Sequence, residues 1–227
     1  MELTDLKAAW KTMSLLLRSH PWHGIPVGED APTIVNTYIE TVPTDTVKYE
    51  IDKESGFLKV DRPQKFSSIC PTLYGFIPQT YCGSRIADFC NQHLNDGRSV
   101  VGDDDPLDIC VLTEKAISHG DIMIQAVPIG GFRMLDHGQA DDKIIAVMKN
   151  DTLYRQWNDV SDCPPAFIDR LRHYFLTYKD LPGEEKPACE ITHTYGREEA
   201  FEVIRRSRED YKDKFGPLAA LMDAIKK

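Results

Sequence analysis

The spacing of apolar residues changes once along this chain, and that change limits the folds open to it. In Thr46-Val47-Lys48-Tyr49-Glu50-Ile51 the apolar and polar side chains alternate, which is the period of a strand with one buried face. Asp52-Lys53-Glu54-Ser55-Gly56 then reads as a turn, and Phe57 to Val60 as the returning arm of a hairpin. Further strands are expected over residues 34–42, at Tyr74-Gly75-Phe76-Ile77-Pro78, and over 107–112, 121–134 and 144–149, with a bulge or sharp bend at Ile129-Gly130-Gly131. After Pro165 the period becomes helical: Phe167, Leu171, Tyr174, Phe175 and Tyr178 share a face, and Ser161 or Asp162 is the candidate cap. A last short strand is expected at 190–195, and a charged helix over 197–214 anchored by Phe201, Ile204 and Tyr211. Residues 1–18 form a further helix candidate with Leu6, Trp10, Met13 and Leu17 on one face, ended at His20-Pro21-Trp22-His23-Gly24. Residues 79–102, polar and Gly-containing, read as a long loop or small excursion. Strands first and helices later predict an α+β fold built on a small barrel or curled sheet.

With 227 residues the chain is long enough for one substantial core, and residues 1–227 are read as a single domain. Its formal net charge of −9 argues against nucleic acid, whose binders carry a basic footprint. An anionic substrate stays open if metal or a local basic cluster inverts the field. No leader and no membrane span are expected: Met13 to Leu17 is a short apolar run flanked by Lys11 and Arg18. Cys70, Cys82, Cys90, Cys110, Cys163 and Cys189 are scattered and read as free thiols of a reducing cytoplasm. Cys82, Cys90 and His93, or Cys189 and His193, lack the paired spacing of a zinc site.

Four carboxylates fall within six consecutive positions in Asp103-Asp104-Asp105-Pro106-Leu107-Asp108, directly ahead of the apolar stretch Ile109 to Leu112. Like charges this dense repel one another unless a cation sits among them, and hard divalent ions take oxygen ligands. An isolated run of this kind is commonly a solvated turn, but the strand behind it ties this one to the core. A second acidic loop, Asp136-His137-Gly138-Gln139-Ala140-Asp141-Asp142-Lys143, connects two strand candidates, so Asp136 and Asp141 can face the same mouth as Asp103 and Asp108. An extended backbone puts Asp103 and Asp105 on one face and Asp108 on the other, unless Pro106 re-aims it. Lys48, Arg62, Lys143, Tyr178 and Lys179 supply groups that grip phosphate oxygens. For Lys48, Glu50 and Arg62 a plain solvent face is the competing reading. Metal with a phosphate grip suggests phosphoryl transfer to water, because no Ser, Cys or His nucleophile is evident.

These residues resemble a family I soluble inorganic pyrophosphatase. The resemblance rests on Asp103-Asp104-Asp105-Pro106-Leu107-Asp108-Ile109 and continues in order on both sides. It takes in Ile39-Glu40, Lys48-Tyr49-Glu50-Ile51-Asp52-Lys53, Val60-Asp61-Arg62 and Tyr74 to Pro78. It resumes at Pro128-Ile129-Gly130, Met134 to Lys143, Ile145-Ala146-Val147 and His173 to Leu181. The shared core is about 38–181, flanked by the helix at 1–18 and a C-terminal extension over 182–227. The resemblance implies a five-stranded OB-like β-barrel with flanking helices, and hydrolysis of pyrophosphate to two phosphates. It implies several Mg²⁺ ions per site, bound by Asp103, Asp108 and Asp141, with Asp136 as a further ligand and Glu40 and Glu50 near the outer ions. Asp105 matches the general base that takes a proton from a metal-bridged water. Lys48, Arg62, Tyr74, Lys143, Tyr178 and Lys179 match the groups that hold the two phosphoryl units. A cytoplasmic homo-oligomer without nucleic-acid or membrane partners follows from the same likeness.

The chain departs from the family pattern at Cys70, where many members carry a tyrosine at the site's edge, and at His137, where an acidic residue is common. Its 79–102 segment is also longer than usual. A phosphohydrolase of another phosphoanhydride or ester, and a barrel that binds without catalysis, are the alternatives. A calcium-binding protein is disfavoured because the acidic loops lack the EF-hand order.

Overall fold

The computed structural model describes residues 18–94, 97–180 and 188–226. The helix expected over 1–18 lies, but for Arg18, outside the described residues. The described residues hold ten strands and three α-helices. They are β1 (Val35–Thr41), β2 (Val47–Ile51), β3 (Leu58–Pro63), β4 (Leu73–Phe76), α1 (Ser84–His93), β5 (Val101–Gly102), β6 (Asp108–Leu112) and β7 (Ile122–Asp136). Then come β8 (Gln139–Ala140), β9 (Lys143–Met148), α2 (Pro165–Thr177), β10 (Cys189–Gly196) and α3 (Arg197–Lys226).

The main sheet runs β1-β4-β6-β9-β7-β8-β5; β7 also pairs with β1 and with β10. Alternation along the strands sends their residues into two apolar layers. Ile109, Val111, Ile144 and Ala146 join Ile39, Leu73 and Ile77 in one core, closed by Ile86 and Cys90 of α1 and Val203 and Ile204 of α3. Cys110, Leu112, Ile145 and Val147 point the other way, onto Ile168, Leu171 and Phe175 of α2. Each such side chain contributes about 1.5–3 kcal/mol by leaving water. The strands β1 and β4 cross so closely at Gly75 that an added Cβ would lie 1.9 Å from the Tyr38 carbonyl oxygen. The bulge expected at residues 129–131 is present as a register shift between Pro128 and Gly130.

Two expectations are corrected. Residues 79–102 hold the helix α1, which the sequence reading missed. Three of its residues, Ile86, Ala87 and Cys90, are buried, so its apolar stripe is faint. Its first turn is satisfied from far away, since the Asp210 carboxylate of α3 accepts from the backbone N–H of Gly83, Arg85 and Ile86 at 3.0–3.1 Å. Neither Ser161 nor Asp162 caps α2, which begins after Pro164 without a side-chain cap. Asp162 instead pairs reciprocally with Asp159 around the single 3₁₀ turn Val160–Asp162.

Candidate active site

Three of the carboxylates meet at the end of the layer that α2 covers. Asp108 and Lys143 are register partners in the parallel pair β6–β9. They share strand faces with Cys110 and Ile145, which pack under α2. The Lys143 ammonium, 1% exposed, donates to Asp108 and, at 2.5 Å, to Asp141. The Tyr74 hydroxyl also donates to Asp108. Burial first, and then the charges of nearby Asp141 and Asp108, push the Asp103 carboxyl up to about 9. Like charge is concentrated here beyond what the lysine balances.

The loop geometry answers how Asp103, Asp105 and Asp108 serve one site. Asp104 is left-handed, with φ +65°, so residues 103–107 form a tight turn and do not extend. The Asp103 carboxylate accepts from the Asp105 N–H at 3.1 Å, and the Cys82 N–H donates to the Asp105 carbonyl at 2.8 Å. Asp104 turns away from the cluster and accepts from the Tyr81 hydroxyl. Asp105 faces the β2–β3 hairpin, where the Lys53 ammonium pairs with it.

That hairpin overhangs the cleft. Lys48 lies opposite Arg62 in its register, and its ammonium sits 3.6 Å from Glu50 and 3.5 Å from Asp61. Arg62 pairs with Asp61 and reaches toward the Tyr178 ring, 5.9 Å away. Glu40, on β1 beneath the hairpin, is buried and accepts from the Ile51 N–H at 2.7 Å; burial raises it to about 8. A cavity between hairpin and carboxylates is lined by Glu40, Lys48, Glu50, Lys53, Tyr74, Asp105 and Asp108. Across the cluster, Tyr178 and Lys179 follow the end of α2, and Lys179 pairs with Asp136. That pair holds the Asp136 carboxyl below its ordinary range, against the opposing effect of burial.

The structure therefore gathers Asp108, Asp141, Lys143 and Tyr74 into direct contact, with Asp103 nearby. It sets Asp105, Lys48, Glu50 and Glu40 around the adjoining cleft, Arg62 opposite Lys48 on the hairpin, and Asp136 with Tyr178 and Lys179 on the flank. Sequence reasoning gave no role to Lys53 or Asp61, although both stand inside the quoted motifs beside Lys48 and Arg62. His137 is a solvent-facing loop residue with 71% of its side chain exposed. Cys70 is buried beside Thr72 and Tyr174, not at an open edge. All six cysteines are free and buried.

Among the described residues no three His, Cys, Asp or Glu side chains stand close enough together to cage a metal ion as they are. Lys143, Lys53 and Lys179 supply the positive charge instead. The donor set nevertheless suits a hard divalent cation: it is all carboxylate oxygen, and burial with the neighbouring carboxylates raises Asp103.

Comparison with known proteins agrees with this geometry. The sequence profile of the inorganic pyrophosphatase family matches residues 37–212. The inorganic pyrophosphatase of Chlamydia muridarum is 53% identical over 200 residues, covering 86% of this chain and 95% of that protein. A soluble inorganic pyrophosphatase of Zea mays is 36% identical over 167 residues, covering 74% and 69%. The crystal structure of inorganic pyrophosphatase from Thermus thermophilus superimposes with a TM-score of 0.70 at 29% identity, covering 85% of this chain and 99% of that one. No helix among the described residues is long and apolar enough to cross a membrane. This chain belongs to the inorganic pyrophosphatase family.

Proposed function

We propose that the protein hydrolyses inorganic pyrophosphate to two phosphates by in-line attack of water, and that Mg²⁺ is its cofactor. The observation that carries this reading is the buried Lys143 ammonium in contact with both Asp108 and Asp141, with the Asp103 carboxyl near enough to feel their charge. Asp103, Asp108 and Asp141 would hold the activating ions, Asp136 a further one, and Glu50 and Glu40 would serve the outer ions. Bound Mg²⁺ supplies a water that loses its proton near neutral pH and neutralises charge on the substrate. Asp105 accepts the proton of the attacking water. It lies on the cleft wall shared with Lys48 and Tyr74, within reach of a phosphoryl group held there.

Lys48 and Arg62, presented side by side by the hairpin register, take the oxygens of one phosphoryl unit. Lys143, Tyr74, Tyr178 and Lys179 take those of the leaving phosphate. The burial of Lys143 and Tyr178 makes their contacts stronger than in water, and the set together holds the electrophile in line with the nucleophile. No covalent intermediate is required.

The double pairing of β1, with β4 and with β7, supports a ring β1-β4-β6-β9-β7 as the family's five-stranded OB-like barrel. We read the chain as one domain, residues 1–227, with a core at about 38–181. A cytoplasmic setting is supported by six free, buried thiols. A homo-oligomer is supported by the exposed apolar side chains of Phe57, Val60 and Phe66. The test is phosphate release by wild type and Asp105→Asn at saturating Mg²⁺. Loss of about 10²-fold or more in kcat, with the fold intact, is expected. Unchanged kcat in the variant contradicts the assigned base.

A further inference from the structure

Asp142 stands between Asp141 and Lys143, yet its side chain turns away from the cleft. It is 2% exposed, accepts from the Tyr195 hydroxyl at 3.0 Å, and lies 3.6 Å from the Arg133 guanidinium. Arg133, 1% exposed, also pairs with Glu199 at 2.9 Å. It stacks over the Phe89 ring at 4.7 Å and the Tyr195 ring at 5.4 Å. The Tyr195 ring lies flat over β7, where a Cβ on Gly131 would meet its hydroxyl at 2.5 Å.

Hydrogen bonding in this cluster is incomplete. Nε, Nη1 and Nη2 of Arg133, Oδ1 of Asp142 and Oε1 of Glu199 are buried without a partner of good geometry. A buried ion set of that quality is a poor source of stability, and apolar replacements are often as stable or more so. What it supplies is direction, because the carboxylate of Asp142 has one hydroxyl and one guanidinium to meet. The backbone on either side is tied into the site: the Asp141 N–H donates to the Met134 carbonyl at 2.9 Å, and Lys143 pairs with Asp108 on β6 and Phe132 on β7. Fixing Asp142 from behind therefore fixes how Asp141 and Lys143 are presented in front. Phe89 comes from α1, inside the long 79–102 segment, and Tyr195 and Glu199 come from β10 and α3, beyond residue 181. The long 79–102 segment and the extension past residue 181 thus close this cluster.

We infer that Arg133, Asp142 and Tyr195 are positioning residues for pyrophosphate hydrolysis, aiming Asp141 and Lys143 through a buried cluster that α1, β10 and α3 complete. The inference rests on the pyrophosphatase reading above. Groups that orient first ligands in this way commonly change metal affinity 10–100-fold when removed.

The test uses the full chain as wild type, Tyr195→Phe, Asp142→Asn and Val203→Ala. Each is followed by Mn²⁺ calorimetry, thermal unfolding, and KM and kcat for pyrophosphate. Tyr195→Phe deletes a single oxygen and keeps the ring. Both cluster variants are expected to bind Mn²⁺ about tenfold more weakly and to show a raised KM; Tyr195→Phe should unfold near wild type, whereas Asp142→Asn, which leaves Arg133 only Glu199 as a charged partner, should also lower the melting temperature. Val203→Ala removes a buried apolar side chain of α3; it should lower the melting temperature while leaving Mn²⁺ affinity and KM unchanged. Cluster variants that match wild type in Mn²⁺ affinity and KM, while wild type hydrolyses pyrophosphate, overturn the inference. Equal weakening in Val203→Ala does the same, since general loosening would then explain it. A wild type that binds Mn²⁺ but hydrolyses no pyrophosphate overturns the functional reading, and this inference falls with it.

Discussion

Replacing Lys143 with methionine removes one buried positive charge while keeping nearly the same length and volume. The ammonium is in contact with Asp108 and with Asp141, and Asp103 is near enough to feel the charge of all three groups. The variant leaves three adjoining carboxyl groups with no cation among them. Breaking a buried ion pair from one side costs about 3–5 kcal/mol, a large share of the roughly 5–15 kcal/mol that holds a domain folded. For a chain of this size each kcal/mol moves the midpoint about 2–4 °C. In chelator, Lys143→Met should therefore unfold about 6–20 °C below wild type. A divalent ion at the carboxylates replaces the missing charge, so Mg²⁺ should recover more stability in the variant than it adds to wild type. At a hundredfold excess over Kd, binding alone is worth about 2.7 kcal/mol. Calorimetric unfolding with Mg²⁺ and with chelator measures both quantities. A variant within 2 °C of wild type in chelator, on the order of one kcal/mol or less, refutes the charge balance described here. An equal Mg²⁺ gain in the two proteins refutes the metal's place in it.

Other consequences follow from parts of the fold outside the cleft. His23, packed against Trp22 and hydrogen-bonded to the Tyr211 hydroxyl at 2.8 Å, is lowered from 6.5 to about 4, first by burial and then by His20. The unfolded chain binds the extra proton between those values, so this contribution to stability is full above pH 6.5 and is lost as pH falls toward 4. Allowing for a half-exposed ring, it is about 1–2 kcal/mol. Urea unfolding at several pH values should show a shallower acid slope in His23→Gln; an unchanged slope excludes the assignment. Gly75→Ala forces a Cβ to 1.9 Å from the Tyr38 carbonyl oxygen, and a loss above about 4 kcal/mol, or failure to fold, is expected. A soluble variant with the wild-type urea midpoint would mean that β1 and β4 do not cross so closely. Because every thiol is buried, a thiol reagent should label none rapidly in the native protein and all six in denaturant; fast native labelling contradicts the packing of Cys70 and its neighbours.

Much of the cleft could be read from the sequence because its determinants are local. Strict alternation in residues 46–51 placed Lys48 and Glu50 on one face, and the hairpin register sets Lys48 opposite Arg62. The acidic run ahead of an apolar strand led to Asp103, Asp105 and Asp108. How those three share a site was hidden, because it depends on the left-handed turn at Asp104, and an aspartate does not announce that conformation as a glycine would. The helix α1 was hidden for a different reason: its first turn is capped by Asp210, over a hundred residues away, and its buried stripe is three residues wide. Composition points to Ser161 or Asp162 as the cap of α2, but Asp162 is committed to Asp159 in the turn before it. Arg133 and Asp142 read as ordinary strand and loop charges until Phe89, Tyr195 and Glu199 are brought over them from later and inserted segments.

The most direct measurement is ³¹P NMR of pyrophosphate mixed with the purified full-length protein, once with Mg²⁺ and once with chelator in excess. The account predicts that the pyrophosphate resonance is replaced by orthophosphate at two per molecule consumed with Mg²⁺ present, and that it persists in chelator. Pyrophosphate that survives with Mg²⁺, or orthophosphate that forms as fast in chelator, contradicts it.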